Sequence, residues 1–166
     1  MYLCYLDESG APELTGNTSH FVLLGLAIPP SSWRAKDDRV TGIKAPYDLA
    51  TAEIHTGWMT RRYLEQERIA GFEMLDRAER RRMATLERKA ILLNAAATKT
   101  PLQLRALQKG MRKTDPYIHL TFVERIALLT ELADEISTWN DSYVFCDAID
   151  KRCYGCLLYT SDAADE

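Results

Sequence analysis

No apolar run in this chain approaches the length of a membrane span; the longest, Phe21 to Pro30, is strand-sized. A basic leader followed by a long apolar stretch is also missing. Met1 leads straight into strand-like residues that meet carboxylates at Asp7 and Glu8, so no secretory signal is expected. Cysteines are few, four in 166 residues. With nothing else pointing to secretion, reduced thiols in a cytoplasm are expected rather than a disulfide framework. Cys4 and Cys146 fall in strand-like segments, where a thiol is expected as a small buried hydrophobe. Walker A and dinucleotide glycine fingerprints are absent, as are a nucleophile elbow, an internal repeat and a low-complexity tract. What is present is an ordinary globular composition, 46% apolar and 27% charged, in a length that suits one domain.

The last eleven residues, Cys156 to Glu166, resemble the translated adapter of a transposon-made sequencing library. On that reading 156–166 is foreign to the domain, the Cys153-Tyr154-Gly155-Cys156 run is no zinc or redox motif, and the natural gene continues past Gly155. Asp162, Asp165 and Glu166 carry the whole formal charge of −3, so Met1 to Gly155 is neutral.

Aromatic and leucine content makes Tyr2 to Leu6 a strand ended by Asp7-Glu8-Ser9-Gly10, with a polar loop from Ala11 to Ser19. His20 to Ile28 is a second strand, stopped by Pro29-Pro30, and the pair suggests an antiparallel hairpin. Ser31 or Ser32 can cap a helix to about Lys44 with Trp33, Val40 and Ile43 inward. Ala52 to Thr56 reads as a short strand or extended turn. Asp76-x-x-Glu79 opens a helix with Met83, Leu86, Ala90, Leu93 and Ala97 on its apolar face. Thr121-x-x-Glu124 opens another, with Ile126, Leu129, Leu132 and Ile136 on one side. Trp139 to Ser142 is a turn, and Tyr143 to Ile149 a strand leading to Asp150-Lys151. The order predicts an α/β domain over 1–155 with a helical insertion at about 57–119.

Charge is uneven. Gly57 to His119 holds 14 basic and 7 acidic residues, and the rest of Met1 to Gly155 holds the reverse. A positive segment of this kind can attract a polyanion such as nucleic acid. Because no periodic basic stripe stands out, solvated helix faces with some ion pairs are the simpler expectation.

Three places can carry chemistry. Asp7 ends a strand, sharing a face with Tyr5 and Leu3, while Glu8 points away; Asp-Glu-Ser-Gly also makes a good turn without any further role. Glu53 and His55 share a face if their segment is extended, and both can bind a divalent metal. Alternation separates Asp147 from Asp150, so one of them faces the side of Asp7. A Ser9, His20 and aspartate triad has no motif behind it.

Taken together, Tyr5-Leu6-Asp7-Glu8-Ser9-Gly10, His20-Phe21-Val22-Leu23-Leu24-Gly25, Glu53-Ile54-His55 and Ala148-Ile149-Asp150-Lys151 closely resemble the domain-of-unknown-function 3800 family. The likeness runs in order from Met1 to Arg152. It implies a ribonuclease H-like mixed sheet with flanking helices, incomplete at the C-terminus. It further implies a metal-dependent nuclease acting on nucleic acid. Asp7, Glu53 and Asp150 would hold Mg²⁺ or Mn²⁺, His55 would shuttle protons or touch phosphate, and Lys151 and Ser9 would contact substrate. Hard oxygen ligands suit those ions, and the lack of a Cys/His cluster argues against zinc. In such sites two ions roughly 4 Å apart serve the attacking water and the leaving oxygen. Two departures stand out: Ala11 replaces an aspartate that many members carry, and the family continues past the Asp-Lys strand. The chain as it stands is therefore expected to be inactive. The alternatives are a non-catalytic module of the same fold that binds nucleic acid or protein, and a metal-dependent hydrolase of a small phosphate ester.

Overall fold

The computed structural model describes residues 1–10 and 19–153. Ala11, nearly all of the polar loop after it, and the Cys156–Glu166 tail lie outside the described residues. The chain is a mixed α/β protein that divides into two compact units: Met1–Asp37 with Thr138–Glu166, and Asp38–Ser137. The helical unit is therefore wider than the 57–119 segment that sequence marked out.

The first unit is built on one three-stranded sheet of β1 (Leu3–Ser9), β2 (His20–Ile28) and β3 (Tyr143–Asp150), in the order β1-β2-β3. Both pairings are antiparallel, and all three strands fall where the apolar runs placed them. β1 nevertheless runs on to Ser9 instead of stopping at Leu6, so Asp7 lies within the strand. Its last residues Asp7, Glu8 and Ser9 pair with Leu24, Leu23 and Val22, and a ready-made ladder outweighs their turn preference. Gly10, at φ 99°, then turns the chain out of the sheet, a conformation that suits a residue without Cβ.

Gly25 is placed inside β2 for a packing reason. It pairs with Phe145, whose ring covers it so closely that a Cβ would overlap the aromatic carbons. The sheet's apolar side chains stay largely open, with Leu6 60%, Tyr143 61% and Val144 62% exposed. Cys4 and Cys146 are exposed too, against the expectation of burial, because no described residue covers either thiol.

Helix α1 (Pro30–Lys44) starts at Pro30, one or two residues before the expected serine cap. Proline suits a first helical position, where no intrahelical N–H is needed. Ser32 lies inside the first turn, its hydroxyl donating to Pro29 O and to Asp141 at 2.7 Å. Lys36 also donates to Asp141, and these bonds hold the Asp141 carboxyl down at about 2. Trp33, expected among the inward residues, donates its indole N–H to Tyr5 Oη at 2.5 Å.

In the second unit, α2 (Thr56–Met59) and α3 (Leu64–Glu67) are single turns, followed by α4 (Arg77–Thr98), α5 (Pro101–Thr114) and α6 (Phe122–Ser137). Its core gathers Leu49, Met59, Tyr63, Tyr117, Leu120, Leu128 and Leu132, with Val40, Ile43 and Ile54 packed against it. Both expected N-caps form: Asp76 accepts from Glu79 N, while Thr121 and Glu124 exchange both bonds of a capping box.

The inward face of α4 is Ala84, Arg88, Ile91 and Ala95, not the Met83–Leu86–Ala90–Leu93–Ala97 stripe. Leu86 and Leu93 are 48% and 74% exposed. An arginine defines the true face. Arg88 is buried beside Glu65 at 2.6 Å and also bonds Met111 O, Thr114 and Asp115. Polar pairing thus sets a rotation that apolar periodicity alone misassigns.

Arg125 is fully buried at the start of α6, with no carboxylate of a described residue bonded to it. It donates to Met59 O (2.9 Å), Gln66 Oε1 (3.0 Å), Leu120 O (2.8 Å) and Arg61 O (2.8 Å), and lies 3.9 Å over the Tyr63 ring. One side chain thereby fastens the loops around α2 and α3 to α6. Burial pulls its pKa below the usual arginine value, and the nearest titratable groups act in the opposite sense.

Candidate functional site

The register settles how the sheet's acidic residues relate. Asp7 stands opposite Leu24, which stands opposite Cys146; Asp150 stands opposite His20. Directly paired residues share a face, so Asp7, Ser9, His20 and Asp150 lie on one side of the sheet, with Glu8 and Asp147 on the other. This agrees with the alternation read from sequence. Along the strands, however, Asp150 is four residues beyond the level of Asp7, and it lies two strands away. Strand rise and spacing place their Cα atoms roughly 16 Å apart. Two aspartate side chains cannot close that gap onto one ion.

Asp150 is also occupied. Its carboxylate accepts from Arg152 N (3.0 Å), Nε (3.1 Å) and Nη2 (2.8 Å). The Arg152 side chain first, then its backbone N–H, with the charge of His20 adding to them, bring the Asp150 carboxyl down to about 2. Asp7, by contrast, is exposed and makes no hydrogen bond or ion pair with a described residue. Lys151 is buried, and its backbone N–H donates to Ser19 O at 3.1 Å. His20 is hydrogen-bonded to the neighbouring Ser19 hydroxyl at 2.9 Å. Among the described residues of each unit, no group of three or more His, Cys, Asp or Glu is gathered to hold a metal.

Glu53 and His55 belong to the helical unit. Their segment is extended rather than a paired strand, with Ile54 turned into the core and its two neighbours exposed. The fold holds it by backbone: Glu53 O accepts from Tyr117 Oη, and His55 O accepts from Trp58 N and Met59 N as α2 begins. The His55 ring stacks on Trp58, centroids 3.9 Å apart and planes 5° apart. Trp58 was passed over in the sequence, because nothing there signals that the ring doubles back on His55.

The expectation that no basic stripe exists is corrected at α5. Thr100 and Gln103 form a full capping box, Pro101 occupies the first turn, and Arg112 and Lys113 fall in the last turn, where cations favour the helix dipole. From Lys99 to Thr114 there are five basic residues and no acidic one. Arg105, Lys109 and Arg112, spaced i, i+4, i+7, fall within an arc of about 60°, and Lys113 flanks them. All four are exposed, and none is ion-paired with a described residue. Several other arginines of this unit are matched: Arg80 with Glu124 at 2.6 Å, Arg82 with Glu79 at 2.5 Å, Arg68 with Glu87 at 3.2 Å. α5 thus displays four of the unit's cations without an ion pair on one helix, while Arg61, Lys89 and Lys99 are likewise exposed and not ion-paired with a described residue. Lys113 Nζ stands 5.1 Å over the Trp58 ring, joining the stripe to the His55–Trp58 stack.

Two cavities lie in the helical unit. One of 580 Å³ is lined by Tyr63, Phe72, Met74, Phe122 and Arg125 among others, and one of 420 Å³ by Arg88, Leu92, Met111 and Arg112 among others. Neither of these two is lined by Asp7, Glu53, His55 or Asp150. The chain matches no family model, no curated protein and no solved structure.

Proposed function

We propose that this chain is a nucleic-acid-binding module of ribonuclease H-like fold, engaging the phosphate backbone through α5. The observation that carries the reading is the unpaired Arg105–Lys109–Arg112–Lys113 stripe in a segment without acidic residues. Exposed side chains with no anionic partner keep their full charge for a ligand, whereas paired arginines are spent within the fold. The fold assignment and the family rest on the sequence resemblance.

The test is fluorescence anisotropy with labelled oligonucleotides over a salt series. The triple variant Arg105→Glu, Lys109→Glu, Arg112→Glu should lose at least tenfold in affinity. The slope of log K against log salt should shrink by about 2 to 3, roughly one for each lost phosphate contact. Unchanged affinity and slope would remove the reading.

A second reading, the Mg²⁺- or Mn²⁺-dependent nuclease, keeps one observation in its favour: Asp7 is exposed and unpartnered on the sheet face that also carries Ser9 and Asp150. Asp7 and Asp150 together do not fit one ion, so no catalytic step is drawn through them. Calorimetric titration with Mn²⁺, repeated on Asp7→Asn, together with a cleavage assay, decides it. Metal-dependent cleavage abolished by Asp7→Asn would replace the binding module with the enzyme.

A further inference from the structure

We infer that the exposed face of His55 is a stacking platform for an unpaired base, making single-stranded nucleic acid the ligand of the α5 surface. The inference rests on the binding reading above.

The imidazole is pre-organised. Its inner face lies flat on Trp58 at 3.9 Å. It is exposed, and its outer face meets no other ring or charged group among the described residues. Gly57 keeps the space beside the ring narrow but open: a Cβ there would come within 3.3 Å of His55 Cε1. A planar group laid on the outer face would continue a stack already two rings deep. An ordered ring adds less side-chain entropy cost on binding than a free one.

The charges around the platform favour a base over a phosphate. Lys113, 5.1 Å over Trp58, can meet a phosphate where the stripe reaches the stack. Glu53, two residues before His55 and projecting to the same side, repels phosphate but accepts hydrogen bonds from base N–H groups, the N3–H of thymine among them. A strand running along Arg105, Lys109, Arg112 and Lys113 would therefore keep its backbone on α5 and turn a base toward His55. Paired bases in a duplex have both faces already stacked and cannot use the platform. Base–aromatic stacking combined with a positive track is the general solution for binding single strands without strict sequence choice.

The test compares two probes of equal backbone charge on the full chain: a fluorescein-labelled 15-mer of oligo-dT and a 15-mer of abasic tetrahydrofuran phosphates. The dT strand should bind at least about fivefold tighter, the lower end of what one stacked base contributes. His55→Ala should bring dT down to the abasic affinity and leave abasic binding unchanged; His55→Phe should preserve the preference. His55 supports α2 through its backbone carbonyl, so the alanine variant is expected to fold, which circular dichroism checks. Equal binding of both probes by the unmodified chain, or a dT preference that survives His55→Ala, overturns the platform while leaving the α5 reading standing. Binding of neither probe overturns both.

Discussion

Arg125→Met removes a buried cation from the point where α6 meets the loops around α2 and α3, and its cost can be worked from the contacts. The guanidinium serves four acceptors, of which Leu120 O also receives the Gln66 side-chain amide at 2.9 Å. Met59 O, Arg61 O and Gln66 Oε1 would lose the Arg125 bond without a replacement. Each buried acceptor left unsatisfied costs about 1–3 kcal/mol. The loss of the cation–π contact with Tyr63 adds to this, up to about 2 kcal/mol for a desolvated pair. Against it stands relief of the guanidinium's own desolvation, several kcal/mol. The net expectation is a loss of about 3–5 kcal/mol, the unsatisfied acceptors and lost ring contact outweighing the relief of one buried cation. Arg125→Lys keeps the charge but not the planar fork, so it should recover only part of the loss. Urea denaturation followed by far-ultraviolet circular dichroism measures both, with Arg68→Ala as a control. Arg68 pairs with Glu87 at the surface, and its loss should cost no more than about 1 kcal/mol. An Arg125→Met chain within about 1 kcal/mol of the parent would refute the assignment of Arg125 as a fastening residue.

Three further outcomes are expected. Gly25→Val should destabilise the sheet by about 1–3 kcal/mol through overlap with Phe145, and the added Phe145→Ala should return part of that loss; no rescue in denaturant melts would show that the ring is not the obstacle. On α4, Leu93→Gln should stay within about 0.5 kcal/mol of the parent, whereas Ala84→Leu, at a fully buried site, should cost about 1–3 kcal/mol; the reverse ranking would restore the apolar stripe read from sequence. His119 is buried, with Nε2 on Tyr47 O at 2.9 Å and Nδ1 on Arg81 Nη2 at 2.7 Å. Arg81 donates, so Nδ1 accepts, and the neutral ring donates from Nε2. Burial, reinforced by the Arg81 and Arg77 charges, lowers its pKa. The unfolded chain therefore takes up the proton first: stability is complete above about pH 6.5 and falls as the medium is acidified below it. The urea midpoint should drop more steeply between about pH 6.5 and pH 5 for the parent than for His119→Gln; parallel curves would exclude His119 as the group responsible.

The strands were legible because their signal is local. Apolar runs bounded by turn-formers mark all three strands, and period-two alternation separates Asp7 from Glu8 and Asp147 from Asp150 without saying which of the last two faces the side of Asp7. What alternation cannot supply is position along the ladder. That depends on which residue of β3 meets which residue of β2, and the Phe145–Gly25 fit helps to set it. Gathering of Asp7, Glu53 and Asp150 was what the resemblance implied, and the register does not allow it for Asp7 and Asp150.

The helical unit failed and succeeded in the opposite way. Caps at Asp76 and Thr121 were readable because each is made within four residues. The rotation of α4 was not, since Arg88 faces inward only when Glu65, Thr114 and Asp115 arrive from elsewhere in the chain. The α5 stripe was open to discovery from sequence, because a capping box, a first-turn proline and five cations without an anion occupy Lys99–Thr114. It stayed hidden because surplus charge was counted over 57–119 as a whole. A total of that kind mixes arginines whose charge is matched inside the fold with those left to meet a ligand. Each ion pair removes one cation from what the surface can offer, so the informative quantity is charge without a partner. Applied residue by residue, that criterion passes over Arg80, Arg82 and Arg88 and leaves, besides Arg61, Lys89 and Lys99, the four cations Arg105, Lys109, Arg112 and Lys113, which fall together on α5.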